Sequence, residues 1–208
     1  MGELKFCQEL FFLRRTDCHK QQISISFLNI LYNAPAIFFG DPIQWNSPAD
    51  GTIIQAPSSS GGPFQIAGVF IGCKYLSVSQ KRTVLSNYWP GSDATGDVEA
   101  YVIDDPNTRF VVQTSGSSFQ ITGTPTTFTS APIGKYAQLN VGSGSSSTGI
   151  SGMYLDTIAT TSTFPFIIVD LVLNPPGANG TDATSNYNYV VVGFNNEWLR
   201  TNSAVTGI

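Results

Sequence analysis

An all-β fold, an antiparallel β-barrel or sandwich with long Gly/Ser/Thr loops, is what this 208-residue sequence predicts. Three observations predict it. Apolar and polar residues alternate at period two in short runs such as Ile23-Ser-Ile-Ser-Phe27 and Lys135-Tyr-Ala-Gln-Leu-Asn-Val141, which is the signature of half-buried strands. Turn residues punctuate the chain at roughly 8–15-residue intervals, the rhythm of a many-stranded barrel or sandwich. The charged fraction is 12%, against about 25% in ordinary domains, and Gly, Ser, Thr, Asn and Pro take the place of the missing charges.

Taken in order, the elements are these. Residues 1–22 form an arm distinct from the rest; they hold the only histidine, His19, two of the three cysteines, and the apolar run Leu10-Phe-Phe-Leu13 followed by Arg14-Arg15. Their pattern reads either as a short amphipathic helix or as an irregular arm that orders against a neighbour. Residues 23–208 read as a single β-rich domain. Strands are expected at Ile23–Phe27, at Ala36–Phe39 before the turn Gly40-Asp-Pro42, and at Thr52–Gln55. Phe64–Leu76 is the longest apolar run, and Gly68 and Gly72 within it predict a bend, a bulge or a close backbone approach. Ala100–Ile103 and Arg109–Gln113 flank Asp104-Asp-Pro-Asn107, whose turn chemistry predicts a hairpin. Further strands are expected at Ser118–Ile121, Lys135–Val141, Ile150–Ile158, Phe166–Leu173 and Asn188–Phe194, with loops at 114–132 and 142–149.

Composition narrows the function classes. A net charge of −4 with scattered Lys and Arg argues against a nucleic-acid partner, which calls for a basic stripe. No apolar run reaches the ~18 residues of a membrane span, and the N-terminus lacks the basic-first order of a secretory leader. Three cysteines, none in a Cys-x-x-Cys pair, point to small buried or half-buried thiols made in a reducing cytoplasm.

Catalytic chemistry finds little footing. A nucleophile–histidine pair would have to use His19. Asp104 and Asp105 are adjacent and serve a turn better than a shared ion. Asp93, Asp97 and Glu99 match no calcium-loop spacing, and the Gly-rich stretches at 60–62 and 142–144 lack the phosphate-loop ending. No enzyme activity, cofactor or metal is therefore expected. A hydrolase would require convergence of carboxylates such as Asp93, Asp97, Asp104, Asp105 and Asp156 on one cleft. Tyr88, Trp89 and Trp198 stand beside turns and are read either as core packing or as interface anchors, where Tyr and Trp are enriched.

The stretch Tyr88-Trp-Pro-Gly91 with Ala100-Tyr-Val-Ile-Asp-Asp-Pro-Asn-Thr-Arg-Phe-Val-Val-Gln113 resembles a block of the capsid decoration (cement) proteins of tailed bacteriophages. Ala36–Ile43, Asp50–Ile53, Ile66–Tyr75, Ser147–Asp156, Phe166–Leu171 and Val191–Glu197 resemble further segments of that family in the same order, with Glu197 where a histidine is common. The similarity spans about residues 33–200. It implies a β-rich virion protein on the outer surface of an icosahedral head, bound to the major capsid protein, self-associating as a homo-oligomer and stabilising coat-subunit contacts. The alternative is another phage β module, of a tail, baseplate or carbohydrate-binding receptor protein, with Trp45, Trp89 or Trp198 exposed in a groove.

Overall fold

In the computed structural model the described residues are 24–31, 33–46, 51–57, 65–94, 96–114, 133–160, 162–172, 188–197 and 200–201. They are all-β, with no helix among them. The arm at 1–22, including Cys7, Cys18 and His19, lies outside them, as do Trp198 and the strand expected at Ser118–Ile121.

The first unit is a closed five-stranded barrel. Its strands are β1 (Ile25–Ile30), β2 (Pro42–Trp45), β3 (Thr52–Gln55), β4 (Gly68–Leu76) and β6 (Val98–Ile103), in the ring order β2-β3-β1-β6-β4. Only β1 and β3 run parallel. β5 (Thr83–Ser86) adds to the free side of β4. The ring closes where Pro42 and Ile43 of β2 pair with Val69 and Gly68 of β4.

Closure depends on glycine. At Gly68 φ is +152°, and a Cβ there would stand 2.5 Å from a Val102 methyl and 2.6 Å from the Ile103 carbonyl oxygen. Gly72 (φ +153°) follows the bulge in the β4–β6 register between Phe70 and Gly72. The bend predicted from Gly68 and Gly72 is therefore present, and it is what turns β4 from one neighbour toward the next.

The barrel interior is filled by alternate residues of each strand. Phe70, Trp89, Ile37, Ile43, Ile53, Val98, Ala100, Val102 and Cys73 have no exposed surface. Each large side chain so buried contributes about 1.5–3 kcal/mol.

The second unit is a five-stranded sheet of β7 (Arg109–Gln113), β8 (Tyr136–Ser145), β9 (Ile150–Ala159), β10 (Phe166–Leu171) and β11 (Tyr189–Phe194), in the order β7-β11-β10-β8-β9. An isolated parallel bridge between Thr114 and Leu155 brings its edge strands β7 and β9 together. Leu139, Leu155, Ile168 and Val192 form its fully buried core. Ala56, Ile66 and Val69, from the first half of the chain, pack into the same core, so the two units share an apolar seam. A short pair, β12 (Asn196–Glu197) with β13 (Arg200–Thr201), closes the described chain.

Two expectations from sequence are corrected. β6 and β7 do not form a hairpin: β6 pairs with β1 and β4, whereas β7 pairs with β11. Asp104–Thr108 is a tight turn, as its residues dictate, but it hands the chain from the barrel to the second sheet. Turn chemistry sets local direction and does not choose a strand's partner, and both sides of β6 are already taken. The loop expected at 142–149 is half strand: β8 runs to Ser145 and β9 starts at Ile150, with a Gly149 N–H to Ser145 carbonyl bond of 2.7 Å closing the four-residue turn between them.

Leu155 lies under the bridge that joins the two edges of the second sheet. Leu155→Ala is expected to cost about 2–5 kcal/mol in a denaturant melt, whereas Ile150→Ala, five residues earlier on the same strand and 55% exposed, should stay within about 0.5 kcal/mol.

Candidate functional site

Residues 34–41 join the two units, and the aromatic-Pro-Gly corner that the sequence singles out packs against them. Ala36–Phe39 was expected as a strand. It instead makes two isolated bridges in opposite directions. Ile37 exchanges backbone bonds with Trp89 (Ile37 N to Trp89 O, 3.0 Å; Trp89 N to Ile37 O, 2.7 Å). Phe39 does so with the β8–β9 turn (Phe39 N to Gly149 O, 2.9 Å; Ser151 N to Phe39 O, 3.0 Å). The segment is thus stitched to the barrel corner on one side and to the second sheet on the other.

Trp89 is completely buried. Its indole N–H donates to the Ala34 carbonyl at 3.3 Å, and its ring meets Tyr75 edge-on, centroids 5.2 Å apart. Trp89 is part of the barrel core, and within this chain its ring has no face for a partner. Tyr88, next to it, points the other way and is half-buried. Its ring stacks on Phe38 with centroids 5.6 Å apart and planes 6° apart. Phe38 in turn lies flat on Gly144, where a Cβ would collide with the ring. Beside this stack the Asn87 amide donates to the Thr148 carbonyl at 2.9 Å. Leu85, two residues before Asn87 on β5, is 71% exposed, and Ile150, next to Gly149, is 55% exposed. Tyr88, Phe38 and Asn87 therefore line the surface of the junction, with Ile150 exposed beside Gly149 and Leu85 exposed on β5 opposite Lys74.

Beneath that surface sits a buried carboxylate. Asp41 has no exposed surface. One of its oxygens accepts the Phe38 N–H at 2.8 Å and the Gln55 side-chain amide at 2.6 Å; the other accepts the Ser151 hydroxyl. The donors come from the joining segment, from β3 and from β9, so one side chain ties three elements across both units. Desolvation pushes the Asp41 carboxyl above its ordinary value of 3.8, outweighing the three donors that favour the anion. Cys73, on the barrel side of the corner, is also buried; burial lifts its thiol to about 12, and its Sγ donates to the Tyr88 carbonyl at 3.5 Å. Such a thiol stays protonated and unreactive at neutral pH.

The acidic residues weighed as a catalytic set are spread over separate turns and strand β9. The Asp93 carboxylate accepts from the Ser77 hydroxyl and from the Ser79 N–H at 2.9 Å, and these donors hold its carboxyl below the ordinary value. Asp104 accepts the Ser26 hydroxyl. Asp105 accepts the Asn107 N–H at 2.9 Å in its own turn. Asp156 lies exposed on β9. No group of three His, Cys, Asp or Glu side chains comes together around a common point among the described residues.

Asp41, Ser151, Gln55 and Phe38 were not singled out from sequence. The one available signal was an aspartate held between Gly40 and Pro42 at the head of an apolar strand. No family model, curated protein or solved structure matches this chain.

The buried carboxylate has a signed pH signature. Because its folded-state value is raised, its contribution is greatest below 3.8 and is lost as pH rises through the raised value. Asp93 works in the opposite sense, its contribution being lost as pH falls. Comparing melting temperatures of the wild type and Asp41→Asn between pH 3 and 8 isolates the first effect: the wild type should lose ground to the variant as pH rises. A constant difference would mean that Asp41 does not titrate in this range. Asp41→Ala should cost several kcal/mol, about 1–3 for each buried donor left without an acceptor.

Proposed function

We propose that this chain is a virion structural protein of a tailed bacteriophage, binding the outer surface of the icosahedral head and stabilising coat-subunit contacts as a decoration (cement) protein. It acts by binding and not by catalysis. Its partners are the major capsid protein and further copies of itself, it takes no cofactor, and it is made in the host cytoplasm. The observation that carries this reading is the ordered series of family-like segments from Ala36 to Glu197.

The physical character of the junction supports it. A clamp needs a stiff body and a contact face with few charges at its centre. The β-barrel and sheet supply the body, and the shared core around Ile66 and Val69 stiffens the seam between them. The Tyr88–Phe38 stack, with Leu85 and Ile150 exposed on strands of the two units and Lys74 opposite Leu85, supplies a face with few charges. Tyr88 is the anchor on that face; Trp89 acts behind it by fixing the corner. The carbohydrate-binding alternative is less well served, because Trp89 is buried and Trp45 half-buried.

Purified protein should bind coat shells that lack it, and heads assembled without it should rupture at a lower temperature. Leu85→Asp, at a side chain that carries no packing load, should weaken binding by roughly 30-fold if it belongs to the contact. Absence of binding to coat shells together with an unchanged rupture temperature would remove the reading.

A further inference from the structure

A second apolar surface lies on the outside of the barrel, on β1 and β6. On β1, Phe27 is 67% exposed and Ile25 45% exposed. Phe27 stands opposite Tyr101 of β6, and Ile25 opposite Ile103. The Phe27 ring meets the Tyr101 ring edge-on at 5.4 Å, and the Tyr101 ring covers the gap left by Gly72 on β4. The four side chains form one ridge. Its border is acidic. Glu99, on the same face of β6, interacts with the Tyr101 phenol, and Asp97 and Asp105 stand just beyond the two ends of β6. Lys74, opposite Glu99, is the basic group on the neighbouring strand.

The chemistry that fits this surface is an apolar run next to a pair of positive charges. The chain carries one such sequence, Leu10-Phe-Phe-Leu13-Arg14-Arg15, and it enters the barrel through β1 itself. Residues 16–24 separate the arginines from Ile25, and nine residues span up to about 30 Å, ample to fold back over a two-strand ridge. A tether that short gives an effective concentration on the order of millimolar, above that of any neighbouring copy in dilute solution.

We propose that the ridge of Ile25, Phe27, Tyr101 and Ile103 is a docking surface for residues 10–15 of the same chain, the aliphatic and aromatic side chains meeting the ridge and Arg14-Arg15 its acidic border.

The test uses the full-length protein with a photo-crosslinking amino acid in place of Phe11. Irradiation should give links to Phe27, Tyr101 or Ile103, mapped by mass spectrometry, in a species that runs as a monomer. Phe27→Asp, at an exposed position that leaves the core untouched, should lower that yield about tenfold. Reversal of both arginines to glutamate should lower it as well, and adding Glu99→Lys with Asp105→Lys should restore it. Links that map elsewhere on the barrel overturn the proposal. So do links between copies when tagged and untagged protein are mixed, since they assign the ridge to a neighbour. A yield indifferent to Phe27→Asp overturns it too.

Discussion

A carboxylate removed from water must be met by donors, and Asp41 meets three that belong to three different elements. Phe38 donates from the joining segment, Gln55 from β3 and Ser151 from β9. Everything at the junction follows from keeping those donors in place. The Ile37–Trp89 and Phe39–Ile150 bridges hold the residues on either side of Phe38, and the Phe38 ring, whose own N–H is held by Asp41, is thereby laid against Tyr88 and Gly144. An unmet buried donor costs more than a met one gains. The junction therefore has one satisfied arrangement and strained alternatives, which makes it specific as well as stable.

The strands were largely legible because period-two alternation and turn residues are local signals. β3, β9, β10 and β11 fall where the pattern puts them. β2 and β5 were not legible: β2 opens on Pro42, which reads as part of a turn, and β5 has no adjacent Gly or Pro to mark its ends as Gly51 and Pro57 mark β3. The pairing of β6 and β7 was misread for a different reason. Asp104–Thr108 does form a tight turn, with Asp105 receiving the Asn107 N–H, yet strand partners are chosen by distant segments that offer free edges and matching apolar faces. The junction was the least legible part. Gln55 and Ser151 lie 14 and 110 residues from Asp41, and no local pattern announces that a polar residue will be buried with such partners.

The aromatics divide by the side of the backbone on which they fall. Trp89 and Tyr88 are neighbours in an extended corner, so their side chains point to opposite sides. One completes the barrel core against Tyr75, and the other joins Phe38 at the surface. A single dipeptide thereby links interior packing to the surface: the rigidity of the buried indole sets the position of the half-exposed phenol.

The turn at Asp104–Thr108 also orders the chain in time. Every strand of the closed barrel precedes residue 104, and every strand of the second sheet follows residue 108. A ribosome adding about 5–20 residues per second delivers the complete barrel several seconds before Phe194 is made. The barrel can close on its own strands during that interval, with Gly68 already in place at the seam. Ser151 and Gly149 reach Asp41 and Phe39 only afterwards, so the junction forms after the barrel, on a surface that is already waiting for it.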